Sequence, residues 1–217
     1  MNKPEVSIIL PSLNRYQKLG KVLDNIAQTT QGINLEYIIL LSEEDKLSQA
    51  EVKARNLEPI LTPSLLRPVE LWNMGARVSQ AEWLYLGSDD VIHPPNWLRK
   101  CLSTPNQGFI GIGDGKVVPN WAPFFIVSKS WCRAYQGGVF VVPHYKHWGL
   151  DPEITERAVR SGTFTLAPIY LEHMHYIFKR SPKDSTYKRA EEYHQIDVDL
   201  FKHRRELGFP NDFEGFL

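Results

Sequence analysis

Three short polar segments could do chemistry: Ser12-Leu13-Asn14-Arg15, Ser42-Glu43-Glu44-Asp45 and Ser88-Asp89-Asp90. Each follows an apolar run, so each falls where a loop would leave the carboxyl end of a strand. In an open α/β sheet, ligands bind outside those ends, because loops and helix amino termini face one crevice there. Adjacent carboxylates such as Asp89 and Asp90 repel each other unless water, hydrogen bonds or a cation offset the repulsion. A hard divalent cation is one natural solution, which makes Asp90 a metal candidate. The plainer alternative is that both are turn and cap residues, a role Asp favours generally.

The elements that must position these segments alternate. Val6-Ser7-Ile8-Ile9-Leu10 is short, β-branched and nearly continuous, which predicts a buried parallel strand ended by Pro11. Leu19, Val22, Leu23 and Ile26 recur at helical spacing, with Ser12 or Asn14 available to cap the first turn. A second strand is predicted at Tyr37 to Leu41. Pro68 suits a first helical position, and Val69, Trp72, Ala76 and Ser79 form a stripe before the strand Trp83 to Leu86. Pro94-Pro95 are expected to start a helix carrying Trp97, Leu98 and Cys101. From Phe109 the pattern loosens into glycine-rich turns, an apolar run at Phe124 to Val127 and a short helix around Trp131. A helix from Pro152 to Arg160 follows, closed by Gly162. Thr163 to Glu172 reads as strand. Ser185 to Leu207 reads as a long helix with Tyr193, Ile196, Leu200 and Leu207 on one face, stopped by Gly208 and Pro210. The alternation predicts an α/β fold with a mostly parallel sheet.

Composition narrows the class. The 217 residues, 42% of them hydrophobic, suit one domain with its own core. The 25 basic and 25 acidic residues cancel, which excludes attraction to nucleic acid or membrane by bulk charge. The longest apolar runs fall far short of the ~18 residues needed to span a bilayer. Cys101 and Cys132 lie far apart in a chain with no apolar signal region, so a reducing, cytoplasmic setting is expected and no disulfide framework. Lys179 to Arg205 is rich in basic residues. Such a run is usually a solvated helix face paired with acids such as Glu191 and Glu192, and as a free patch it would suit a polyanionic acceptor, including nucleic acid.

In their order and spacing these pieces resemble the family 2 glycosyltransferases, nucleotide-sugar enzymes of the GT-A fold. The stretch from Val6 to Arg15 is similar to that family's opening strand and nucleotide loop. Arg67, then Trp72 to Ala76, then Ala81 to Asp90, resembles the helix leading into the strand that ends in an Asp-x-Asp-type metal motif. Here Ser88 stands where that motif has its first carboxylate. Gly149 to Ile154, with Arg157 and Gly162, resembles the acceptor-side segment bearing the catalytic carboxylate. Pro168 to His175 resembles the strand that ends in a metal-binding histidine.

The resemblance implies a Rossmann-like three-layer sandwich over residues 1–180, with residues 181–217 as a helical extension packed on it. It implies Pro11, Ser12, Asn14, Ser42, Arg67, Ser88 and Asp89 at the nucleotide, and Asp90 with His175 at a divalent cation (Mn2+ or Mg2+). His173 and His175 lie two apart on a strand pattern and share a face, so His173 is the alternative ligand. Asp151 is implied as the general base of an inverting displacement, taking the acceptor hydroxyl's proton as that oxygen attacks the anomeric carbon. Asp151-Pro152 also reads as a helix N-cap, worth ~1 kcal/mol, and a helix amino terminus keeps a carboxylate ionised. Glu153 is the reserve base, read as an outward first-turn acid, and Trp148 the reserve sugar-stacking residue.

The expected donor is a nucleoside-diphosphate sugar, with uridine the first choice although Ser42 stands where the family often has an acid. The acceptor hydroxyl, on a glycan, a small molecule or a modified nucleic acid, is left open, as is the oligomeric state. Two rivals are a catalytically silent nucleotide- or carbohydrate-binding module of the same fold and a sugar nucleotidyltransferase. The latter usually shows a glycine-rich, lysine-bearing phosphate loop that Ser12 to Lys18 lacks.

Overall fold

The computed structural model describes residues 3–63, 66–115 and 120–217. The strands are β1 (Val6–Ser12), β2 (Leu35–Ser42), β3 (Ile60–Thr62), β4 (Trp83–Leu86), β5 (Val91–Ile92), β6 (Phe109–Gly113), β7 (Phe124–Ser128), β8 (Phe164–Tyr170) and β9 (Glu172–His173). The helices are α1 (Tyr16–Thr29), α2 (Lys46–Lys53), α3 (Pro68–Val78), α4 (Trp97–Ser103), α5 (Lys129–Tyr135), α6 (Leu150–Arg160) and α7 (Ser185–Glu206), with a 3-10 turn at Tyr176–Phe178. A seven-stranded sheet has the order β3-β2-β1-β4-β7-β6-β8, and β7 alone runs against the others. This is the mixed α/β, mostly parallel arrangement that the alternation predicted.

Burial on both faces explains the near-continuous apolar strands. Ile8 and Leu10 pack with the α1 stripe Leu19, Val22, Leu23 and Ile26, whereas Ile9 packs with Val69, Trp72 and Ala76 of α3 on the opposite face. Helix α3 lies close on the sheet because position 75 is glycine: a Cβ there would come within 2.4 Å of Ile9 Cγ2. Its Asn73 side chain also exchanges two hydrogen bonds with Val141, at 2.8 and 3.0 Å, and so fixes the segment after α5.

Several expectations need correction. Strand β1 runs through Pro11 to Ser12. Ile9 C=O faces β4 by accepting Gly87 N–H, so by alternation Pro11 faces the same side, beyond the end of β4, and its missing N–H costs no ladder bond there. Neither Ser12 nor Asn14 caps α1; the cap position is Arg15, without a capping side chain. Pro94-Pro95 precede α4, which begins after Asn96 at φ 59°. Phe109 to Gly113, read as turns, is the fully buried strand β6; its glycines admit close neighbours, and a Cβ on Gly111 would meet Ala122 Cβ at 2.7 Å. The two-stranded β5–β9 sheet was not anticipated. On α7 the buried residues are Tyr187, Asp197 and Arg204, and Ile196 and Leu207 of the expected apolar face are exposed. Trp97 is a core residue beside Tyr85 and His93. Both cysteines are buried free thiols. Among the described residues no helix is long and apolar enough to cross a membrane.

Candidate active site

The carboxyl ends of β1, β2 and β4 meet the amino-terminal half of α7, and two adjoining hollows open between them. The smaller, about 110 Å3, includes Pro11, Ser12, Ser42, Ser88, Asp89 and Arg189 in its wall. The larger, about 350 Å3, includes Asp90, Asp114, Trp148, Asp151, His173 and His175. Arg15, Ser88 and His147 border both. The fold has therefore gathered residues up to 182 positions apart, from Pro11 to Tyr193, around one crevice.

Asp89 and Asp90 are both buried, and each is held differently. Asp89 accepts Ser12 Oγ–H at 2.6 Å and pairs with Arg15 Nη1 at 2.8 Å. Arg15 also forks onto Asp184 at 2.7 and 3.0 Å, and its guanidinium lies 4.1 Å from the Tyr187 ring centroid. Asp90 accepts hydroxyls from Ser88 at 2.5 Å and Tyr187 at 2.8 Å, with His173 Nε2 at 3.6 Å. Burial pushes the Asp90 carboxyl up, but the hydrogen bond and charge of His173, with the Ser88 and Tyr187 hydroxyls, hold it well below the usual carboxylate range. For Asp89, burial raises the pKa, the Arg15 charge pulls it back and the Asp90 charge adds to the rise. The pair is thus an asymmetric one, with Asp90 the anion facing the larger hollow.

The other expected donor residues divide. Ser42 is buried in the wall, its Oγ accepting Glu44 N–H at 3.1 Å. Asn14 is exposed at φ 54°, and its N–H donates to Asp45, which also caps α2 and so ties two strand-end loops together. Arg67 stands at the start of α3, where the Glu70 carboxylate accepts its backbone N–H at 2.7 Å and its guanidinium at 2.8 Å. His175 caps the 3-10 turn, its Nδ1 accepting Ile177 N–H at 3.3 Å, and its ring lies against Tyr187. His173 is the histidine that reaches Asp90.

Asp151 lies in the first turn of α6 and lines the larger hollow. The N-cap is Gly149, at φ 90°, where a Cβ would strike the Tyr145 ring at 2.5 Å, so Asp151 is one residue inside the helix and not its cap. Burial pushes its carboxyl up to about 7, against hydrogen bonds from its own backbone N–H and from Trp121 and the charge of His173. Glu153 is wholly buried, not outward: it accepts Tyr145 OH at 2.6 Å and pairs with Arg157 at 2.8 Å and Arg204 at 2.9 Å. That engagement leaves Asp151 as the acid on α6 that faces the hollow.

Sequence reading assigned no role to several residues that build this site. Arg15 stood in a loop already singled out. Asp184, Tyr187 and Asp197 belong to the supposed appendage, where only the Asp184-Ser185 helix start carried a signal. The Asp197 carboxylate accepts three successive backbone N–H groups, of Lys146, His147 and Trp148, at 3.0, 2.8 and 2.8 Å, and so shapes the loop before α6. The basic run is largely neutralised: Lys183 pairs with Glu191, Arg204 with Glu153 and Asp212, and Arg205 with Glu156.

Residues 7–137, more than half of the chain, match the profile of glycosyl transferase family 2. No curated protein matches the sequence. Among solved structures, the mannosyltransferase of Pyrobaculum calidifontis, in complex with GDP-Man and Mn2+, superposes with TM-score 0.60 at 15% identity, over 93% of this chain and 73% of that one. Mannosyl-3-phosphoglycerate synthase of Rubrobacter xylanophilus gives 0.64 at 14%, over 97% and 77%. Glucosyl-3-phosphoglycerate synthase of Mycobacterium tuberculosis, in complex with Mg2+ and UDP, gives 0.62 at 15%, over 96% and 81%. At such identities the structures speak for the fold, and the profile match speaks for the family. The chain belongs to glycosyl transferase family 2 and has the GT-A fold.

Proposed function

We propose that this glycosyltransferase moves a sugar from a nucleoside-diphosphate donor, a uridine one by expectation, to an acceptor hydroxyl with inversion at the anomeric carbon. The observation that carries the reading is Asp151: a carboxyl pushed up to about 7 by burial, in the same hollow as the Asp90 anion. A base of that pKa is close to the optimum for taking a proton at neutral pH. Ser12, Ser42, Ser88, Asp89 and Arg15 line the smaller hollow, which suits the nucleotide; the expected Arg67 and Asn14 are not among its lining residues. Arg15 supports the negative charge of the leaving diphosphate while its partners Asp89 and Asp184 keep it oriented, an interaction that strengthens as the anomeric bond breaks.

The residues fit a divalent cation shared with substrate. Asp90 and His173 supply a hard oxygen and an imidazole nitrogen, and among the described residues no group of three acidic, histidine or cysteine side chains gathers to hold an ion without other ligands. When bound, Mn2+ or Mg2+ would supply charge neutralisation for the departing diphosphate. The chain's own part is to hold Asp90 ionised, through Ser88 and Tyr187, and to aim Asp151 at the acceptor.

Thermal-shift screening against UDP- and GDP-sugars, with and without Mn2+, tests the donor half, since a ligand that binds the native state raises the melting temperature. Diphosphate release then tests turnover. Stabilisation by a nucleotide sugar with Mn2+, followed by release that Asp151→Asn abolishes, is expected. Saturable binding with no release under any acceptor would instead identify the silent binding module.

A further inference from the structure

Accepting the reading of the site given above, we infer that the acceptor is an uncharged saccharide or glycoside, seated against Trp121 and Trp148, and not a phosphorylated or carboxylated small molecule. Trp121, Phe124, Trp148 and Phe178 line the larger hollow together with Asp114 and Asp151. Trp121 and Trp148 are both half-buried, so each indole is part covered by protein and part turned to the cleft. Trp148 is held edge-on by His194 and Phe201, and its backbone N–H is fixed by Asp197, so the ring is presented in one orientation. A preset indole offers a large apolar surface at little entropic cost, matched by the C–H face of a pyranose. Trp121 also hydrogen-bonds Asp151, which brings the stacking surface to the base that must meet the acceptor hydroxyl.

The charges around the hollow point the same way. Its described acids are Asp90, Asp114 and Asp151; its described basic side chains are Arg15 and the histidines His147, His173 and His175, of which His173 already pairs with Asp90. That guanidinium is held by Asp89 and Asp184, both at hydrogen-bond distance, and on the reading above it serves the donor's diphosphate and not the acceptor. An acceptor bearing a phosphate or carboxylate would enter beside these carboxylates with no described lysine or uncommitted arginine to pair with it, and an unpaired charge in such a site is costly. A neutral polyol meets no such penalty, since carboxylates accept its hydroxyls. Two of the structural neighbours are named for 3-phosphoglycerate acceptors, so the comparison of acceptor classes is a sharp one within this fold.

The test is tryptophan fluorescence of the full chain, with UDP and Mn2+ present, titrated with cellobiose, xylobiose and octyl β-glucoside, and separately with 3-phosphoglycerate and glucose 6-phosphate. Saturable quenching by at least one neutral sugar is expected, weakened about tenfold in Trp148→Ala, with the phosphorylated compounds neither binding nor competing. Trp148→Phe, which keeps an aromatic face, should recover most of the affinity and shows whether the Ala variant fails merely by misfolding. Saturable binding of 3-phosphoglycerate or glucose 6-phosphate in place of the neutral sugars, or neutral binding untouched by Trp148→Ala and Trp121→Ala, overturns the inference. So does no binding of any neutral sugar at tens of millimolar. Release of diphosphate from the donor into water, followed in parallel, reports on the transferase reading separately: it persists if only the acceptor class is misjudged and vanishes if the donor chemistry itself is.

Discussion

The two walls of the cleft are built in opposite ways. The wall proposed for the donor is built chiefly by the sheet: Ser12, Ser42, Ser88 and Asp89 each sit at or just past the end of a strand, the parallel sheet brings them side by side, and Arg189 of α7 completes the wall. The wall proposed for the acceptor is assembled from afar. Asp151 and Trp148 owe their positions to α7, whose buried polar residues reach back across about 50 residues of sequence, Asp197 to the loop at 146–148 and Arg204 to Glu153. Tyr187, on the same helix, hydrogen-bonds Asp90. Helix α7 is therefore a strap between the halves, and its polarity is that of a helix whose buried positions make hydrogen bonds in place of apolar contacts.

That contrast can be broken most sharply at Asp151. Asp151→Asn should lower transfer by ~10^2–10^4-fold while the melting shift produced by donor and Mn2+ stays within about twofold in apparent affinity, measured by diphosphate release and thermal shift; a comparable loss of donor binding would show that the walls are not separate. Next, Arg204→Ala leaves the fully buried Glu153 with Arg157 and Tyr145 alone, and should cost about 3 kcal/mol of stability in urea unfolding. Its effect on the remaining folded enzyme should fall on the acceptor KM and not on donor affinity.

Asp197→Ala removes the acceptor for three N–H groups and should cost ~1–3 kcal/mol, again with an acceptor-side defect in kinetics. The smallest effect is expected from Tyr187→Phe, which keeps the ring under Arg15 but removes the hydroxyl on Asp90: about 1 kcal/mol or less, with a measurable change in the Mn2+ dependence of donor binding.

A pH series sharpens the same comparison. Burial raises the Asp151 carboxyl in the folded protein to about 7, from an ordinary value of 3.8, so its protonated form favours the fold. That contribution is fully present below the unfolded pKa and is lost as pH rises through the folded one. Asp151→Asn, a neutral mimic of the acid, should therefore stabilise the protein increasingly between pH 4 and about 7 relative to wild type, read as the difference in melting temperature. A difference flat with pH would mean that the carboxyl is solvated. Asp90 has the opposite sign: held low, it stabilises at neutral pH and loses that contribution only in strong acid.

Much of the donor wall was legible because the signals are short-range. Apolar runs followed by Ser, Asn and Asp mark strand ends, and Pro68 with a helical stripe marks α3. Strand β6 was not legible, because its glycines, needed for close packing against Ala122, look like turn residues out of context. Asp151 was singled out as the base and also expected to cap α6, but the cap is Gly149, two residues earlier, where the Tyr145 ring leaves no room for a Cβ. Glu153 was misread as outward because its counter-charges, Arg157 and Arg204, lie on two different helices.

The sequence by itself determined the alternating elements, the family and the carboxylates at the strand tip, because periodicity and adjacent residues encode them. Only the tertiary structure decided that Arg15 pairs with Asp89, that His173 and not His175 pairs with Asp90, and that α7 holds the loop at 146–148. The reason is physical: a buried polar side chain takes whichever partner the packing of distant elements delivers within hydrogen-bond reach, and spacing along the chain carries no record of that meeting.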